Sequence, residues 1–128
     1  MGLLDIFKKS NEEKPEKKVL PWIGLTDVNQ LKEIKQNSKS KTQLIFKDST
    51  RCGISKMVIR QFMSSYTYDD QIDAYYLDLL NYRSISQEVA ASFQVMHQSP
   101  QLLVIKNGVV VHHASHHEIS AHSLADFV

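Results

Sequence analysis

The chain carries one cysteine, Cys52, among 128 residues. No internal disulfide framework can form, and any disulfide that involves Cys52 must take its second sulfur from another molecule. Charge of either sign is also lacking in excess: 15 basic residues against 14 acidic ones leave a formal net charge of +1. Such a balance gives no electrostatic footprint for nucleic acid or for another polyanion. No apolar run of secretory or membrane-spanning length occurs, so no membrane partner is expected and the reducing cytosol is the expected compartment. What remains is a length that suits one domain plus a tail, enough to bury a core without disulfide or metal staples.

Residues 1–20 read as a flexible N-terminal leader and charged linker. Leu3, Leu4, Ile6 and Phe7 form a short apolar patch, followed by the mixed-charge run Asn11 to Lys18. The patch is too short for a convincing amphipathic anchor, and Ile6 stands where a myristoylation signal needs Ser or Thr. The folded domain is expected over 21–128. Pro21 to Leu25 reads as a short strand, and Thr26 as the N-cap of a helix through Gln36 with Val28, Leu31 and Ile34 facing inward. Thr42 to Lys47 reads as a buried central strand. After Cys52, the spacing of Ile54, Met57, Val58 and Phe62 predicts an amphipathic helix.

Further on, Ala74 to Leu80 is aromatic and apolar enough for a strand. Ser84-Ile85-Ser86-Gln87 resembles a capping box, opening a helix that buries Ile85, Val89, Phe93 and Met96 and stops at Ser99-Pro100. Asn107-Gly108 between two apolar runs predicts a hairpin with a type I′ turn. Glu118 to Val128 is weakly helical through Ile119, Leu124 and Phe127. The order gives an α/β fold, with a central mixed sheet of four to five strands and helices on both faces.

Within that order Cys52 falls where a strand hands over to a helix. Unpaired N–H groups and the positive end of a helix dipole favour thiolate over thiol at such a position, and Arg51 is expected to push the same way. A buried packing role is the alternative, but Thr50, Arg51 and Ser55 make polar flanks.

The order of elements is similar to the thioredoxin fold, with Cys52-Gly53-Ile54-Ser55 at the place of its redox motif and Ser99-Pro100 at the place of its cis-proline. More narrowly, Ile45-Phe46-Lys47-Asp48-Ser49-Thr50-Arg51-Cys52 with Ile54-Ser55, and the later Ser99-Pro100-Gln101, resemble the monothiol bacilliredoxins. The family has proline after its cysteine, where Gly53 stands here. The resemblance implies a thiol–disulfide oxidoreductase that removes bacillithiol, a small cytosolic thiol, from protein mixed disulfides through Cys52. It implies no tightly bound cofactor, bacillithiol as co-substrate, and S-bacillithiolated proteins with bacillithiol or a disulfide reductase as partners. Ser55 then stands at the resolving position, where a hydroxyl can hydrogen-bond a thiolate but cannot resolve a disulfide. Gly53 and Ile54 could offer N–H groups to the sulfur, Thr50 could position the loop, and Arg51 could pair with the carboxylates of bacillithiol's malate group. Ser99 and Pro100 are expected to hold an extended substrate segment beside Cys52.

Two other readings compete. Ser49 and Arg51 near Cys52 lend partial support to a one-cysteine thiol peroxidase, and a thioredoxin-like interaction module without turnover is the other. His112, His113, His116, His117 and His122 invite a zinc site, but a strand sends His112 and His113 to opposite faces and no second cysteine completes a tetrahedral set, so no metal is expected. Tyr66, Tyr68, Tyr75, Tyr76 and Tyr82 read as sheet and rim packing, since no basic stripe accompanies them.

Overall fold

The computed structural model describes residues 21–128; the expected leader and linker at 1–20 lie outside the described residues. The elements in chain order are β1 (Ile23–Gly24), α1 (Gln30–Asn37), β2 (Thr42–Asp48), α2 (Gly53–Ser65), β3 (Ile72–Asp78), α3 (Arg83–Phe93), β4 (Gln101–Lys106) and β5 (Val109–Ser115). Two 3₁₀ turns, His116–Glu118 and Ala121–Phe127, follow. Five strands form one sheet in the order β1-β3-β2-β4-β5. β2 runs parallel to β3 and antiparallel to β4. It is therefore central, and all seven of its residues are buried.

Alternation along β2 sends its side chains into two separate cores. Leu44 and Phe46 join Val58, Phe62 and Tyr66 of α2 and its C-terminal cap, with Leu124 of the last 3₁₀ turn, on one face. Ile45 joins Leu31 and Ile34 of α1 and Ile85, Val89 and Phe93 of α3 on the other. Trp22 closes the first core against Phe46, Phe62 and Tyr76, with ring centroids 5.9, 6.4 and 5.7 Å apart. Burial of side chains such as Phe62 and Val58 supplies about 1.5–3 kcal/mol each, which is what fixes α2 and its first turn against the sheet.

Several local expectations need correction. α1 starts at Gln30 rather than after Thr26, and Val28 is exposed. The Gln30 side chain explains why: its Oε1 accepts from the N–H groups of Thr26 (2.8 Å) and Asp27 (2.9 Å), and its Nε2 donates to Gly24 O. The loop thus satisfies its own amides and the helix begins later. The capping box does not form, because α3 begins at Arg83 behind Tyr82, with no side-chain cap. Gln94 then adopts the left-handed conformation (φ 56°), ending α3 and turning Met96 out to solvent instead of inward.

Asn107 and Gly108 do take positive φ (53° and 81°), as a type I′ turn requires. Their amides bind Ser38 O and Ser38 Oγ, both at 2.8 Å, which pins the hairpin to the end of α1.

Candidate functional site

β2 ends at Asp48, and the next four residues carry the chain to the start of α2. The amide of Cys52 donates to Ser49 O (3.0 Å), closing a turn, and the carbonyl of Cys52 accepts from Lys56 N–H (3.2 Å), the first bond of the helix. Cys52 is thus the N-cap, with extended backbone (φ −95°, ψ 124°). The first-turn amides of an α-helix have no carbonyl partner within it. Here they surround a half-buried thiol.

The thiol's pKa is held below its usual value, first by the Ser55 amide and then by the Ile54 amide. Partial desolvation pushes it back up, the Ser55 hydroxyl lowers it again, and the negative charge of Asp48 raises it. The sulfur makes no full cap hydrogen bond, so the amides act on it as oriented dipoles. Arg51, expected to assist, is exposed and is not among the groups that move the thiol. Its guanidinium is bathed in solvent, where screening weakens a charge.

The remaining expected site residues fall as follows. Thr50 is exposed and makes no side-chain hydrogen bond among the described residues; the turn bond to Ser49 holds the loop instead. Gly53 is the first helical residue, and a Cβ added there would meet nothing within 4 Å. Ile54 and Met57 were expected to face inward, yet both are exposed (42% and 47%), while the polar Ser55 is fully buried. The start of α2 thus presents Ile54 and Met57 to solvent and turns Ser55 inward. Ser55 Oγ has no hydrogen-bond partner, so a buried donor stands ready at the position from which its hydroxyl acts on Cys52.

β4 begins at Gln101, opposite Lys47 of β2, so Ser99 and Pro100 come to the end of the sheet from which the cysteine loop departs. The Ser99–Pro100 peptide bond is cis. Ser99 Oγ is buried without a partner, and Pro100 O accepts from His116 N–H at 3.0 Å.

Groups not singled out from the sequence also gather at this end. Asp48 is buried, accepts a 2.5 Å hydrogen bond from Tyr76 Oη, and leaves its Oδ1 unpaired. Lys47 is fully buried and its Nζ lies 3.3 Å from Nδ1 of His97. A lysine directly after the apolar run Leu44-Ile45-Phe46, within the expected buried strand, was the available signal; His97 had none, lying apart in sequence from the histidine-rich end. Among the described residues no group of three or more His, Cys, Asp or Glu side chains could hold a metal ion, and His112 stacks on Phe127 at 5.2 Å. No helix among them is long and apolar enough to cross a membrane.

Comparisons with known proteins agree with this geometry. A provisionally assigned oxidoreductase with a thioredoxin fold is 31% identical, with a TM-score of 0.70 over 81% of this chain and 90% of that one. The thioredoxin of Malassezia sympodialis is 21% identical (TM-score 0.64; 85% and 89% covered) and that of Schistosoma mansoni 18% (TM-score 0.61; 84% and 92%). These likenesses make the fold thioredoxin-like, and together with the lone thiol they support thiol redox chemistry. Residues 23–124 match the profile of the monothiol bacilliredoxin BrxC, and the chain belongs to that family.

Proposed function

We propose that the protein removes bacillithiol from protein mixed disulfides, with Cys52 as the nucleophile. The observation that carries this reading is a half-exposed, activated thiol at the start of α2 in a chain with no second cysteine, where a buried serine occupies the resolving position. Cys52 thiolate attacks the bacillithiol sulfur of a protein–S–S–bacillithiol disulfide. The old S–S bond breaks, the client leaves as a thiolate, and a Cys52–S–S–bacillithiol bond forms with no net change in oxidation state. A second bacillithiol thiolate attacks that adduct, releasing oxidised bacillithiol and regenerating Cys52.

Ser55 steadies the attacking thiolate through its amide and its hydroxyl, and the Ile54 amide adds to the positive field. The backbone of Ser99 offers strand-like hydrogen bonds to an extended client segment, with Pro100 shaping the groove. Ile54 and Met57, exposed near the start of α2, offer apolar surface to a client.

Intact mass spectrometry after mixing the reduced protein with a bacillithiolated client tests the scheme. The expected result is one bacillithiol adduct, confined to Cys52 and removed by free bacillithiol. A Cys52 that stays unmodified, or that instead forms a sulfenate while consuming peroxide rapidly, overturns it.

A further inference from the structure

On the opposite face of the sheet from α2, at the same end as Cys52, lies a second polar cluster. Lys47 is the penultimate residue of β2 and follows Ile45 onto the face covered by α1 and α3. Its ammonium, fully buried, meets Nδ1 of His97 at 3.3 Å, and the same ring nitrogen lies 3.3 Å from Oγ of Ser86, a buried hydroxyl of α3. Arg83, exposed at the first position of α3, adds a further positive charge to which His97 responds.

No carboxylate among the described residues pairs with Lys47; the one ion pair there is Lys41–Asp73, at 3.0 Å. A cavity of about 120 Å³, lined by Leu79, Arg83, Ser86, Gln87 and His97, opens beside the cluster. Two cationic side chains, an imidazole, a hydroxyl and an amide thus converge without an anion among them. Burying an uncompensated ammonium is costly, and the chemical complement of such a cluster is a carboxylate.

The topology ties this cavity to the cysteine. β2 and β3 run parallel, so Lys47 and Leu79, just past the end of β3, reach the same end of the sheet as the Cys52 loop. His97 lies three residues before Pro100, in the segment leading into β4. A ligand arching over the end of the sheet can therefore meet both faces.

We infer that the cavity is a carboxylate subsite of the redox centre, which holds the malate carboxylates of bacillithiol while its sulfur engages Cys52. The inference rests on the proposed bacillithiol chemistry and names the part of the chain that recognises that thiol. Arg83 supplies a planar donor pair at the rim, Ser86 and Gln87 supply neutral donors, and Lys47 supplies charge from behind His97. With Nδ1 accepting from Lys47, the imidazole proton sits on Nε2 as a further donor. Arg51 is left outside this cavity. An acidic side chain on a client presents the same carboxylate chemistry, so the test excludes clients.

The full-length reduced protein is reacted with oxidised bacillithiol and, separately, with uncharged 2-hydroxyethyl disulfide, and the ratio of the two second-order rates is compared between wild type and Arg83→Gln. The expected result is a fall of about tenfold in the preference for oxidised bacillithiol, equivalent to about 1.4 kcal/mol. An unchanged ratio overturns the subsite, and does so without touching the proposed function if wild type still acquires bacillithiol on Cys52. In parallel, sodium malate is titrated into the reduced protein while the His97 imidazole is followed by NMR. A rise in the His97 pKa that Arg83→Gln removes supports the subsite, and absence of any rise overturns it. Malate binding in a protein that takes up no bacillithiol overturns the proposed function and the assigned ligand together.

Discussion

Replacing Lys47 by methionine is expected to stabilise the protein at neutral pH. The lysine is fully buried, and burial lowers its pKa from 10.5 to about 8. At about 1.36 kcal/mol per tenfold change in the protonation equilibrium, keeping the ammonium inside the fold costs on the order of 3 kcal/mol. Methionine keeps the length and apolar stem while removing the charge, and loss of the contact with His97 returns about 1 kcal/mol, so the net gain at pH 7 is about 2 kcal/mol. The pH dependence follows from linkage. Below pH 8 both folded and unfolded chains carry the proton and wild type bears the full cost. Between about 8 and 10.5 the folded state sheds the proton while the unfolded state keeps it, so wild-type stability climbs and the advantage of Lys47→Met shrinks. Urea unfolding of both proteins from pH 7 to 9.5 measures this gap; Tyr66, Tyr75 and Tyr76, whose pKa values are raised in the fold, contribute alike to both proteins and cancel in the difference. Taking the difference between the two proteins also cancels the contribution of Cys52. A variant no more stable than wild type at pH 7, or a gap that stays constant to pH 9.5, refutes the reasoning.

Gly53→Pro is expected to stabilise by about 0.4–1 kcal/mol, because proline suits the first helical position, Cys52 already has extended backbone, and nothing crowds a Cβ there; thermal unfolding reads the shift. Asp48→Asn removes a charge that raises the cysteine pKa, so the thiolate absorbance at 240 nm should titrate at lower pH than in wild type. Ser55→Ala should move that titration the other way, since the hydroxyl lowers the thiol's pKa. Ser55→Cys supplies the missing resolving thiol, and a bacillithiol adduct formed on Cys52 should then be discharged without added thiol, as intact mass would show.

The fold was legible where the signal was periodic or stereochemical. The buried central strand at Thr42 to Lys47, the Asn107-Gly108 turn and the i, i+4 pair Val58 and Phe62 all stand as the sequence implied. Helix boundaries were less legible, because Gln30 sets the start of α1 through a side-chain loop bond and Gln94 the end of α3 through a left-handed backbone that composition does not announce. The site divides the same way. The position of Cys52 could be reasoned from strand–helix order, but Ile54 and Met57 broke the hydrophobic pattern that served elsewhere, since α2 begins with Ser55 turned inward and those two side chains turned outward. The Lys47–His97–Ser86 cluster joins residues 50 and 11 positions apart, which no local pattern encodes.

The strand that leads to Cys52 is hydrogen-bonded on both edges, whereas β1 is two residues long and β5 closes the sheet on the other side. Fraying of the outer strands therefore leaves the sulfur's mounting undisturbed. Amides of β2 should exchange with deuterium among the slowest in the domain and those of β1 among the fastest, so the sheet can yield at its margins while the reactive atom keeps its place.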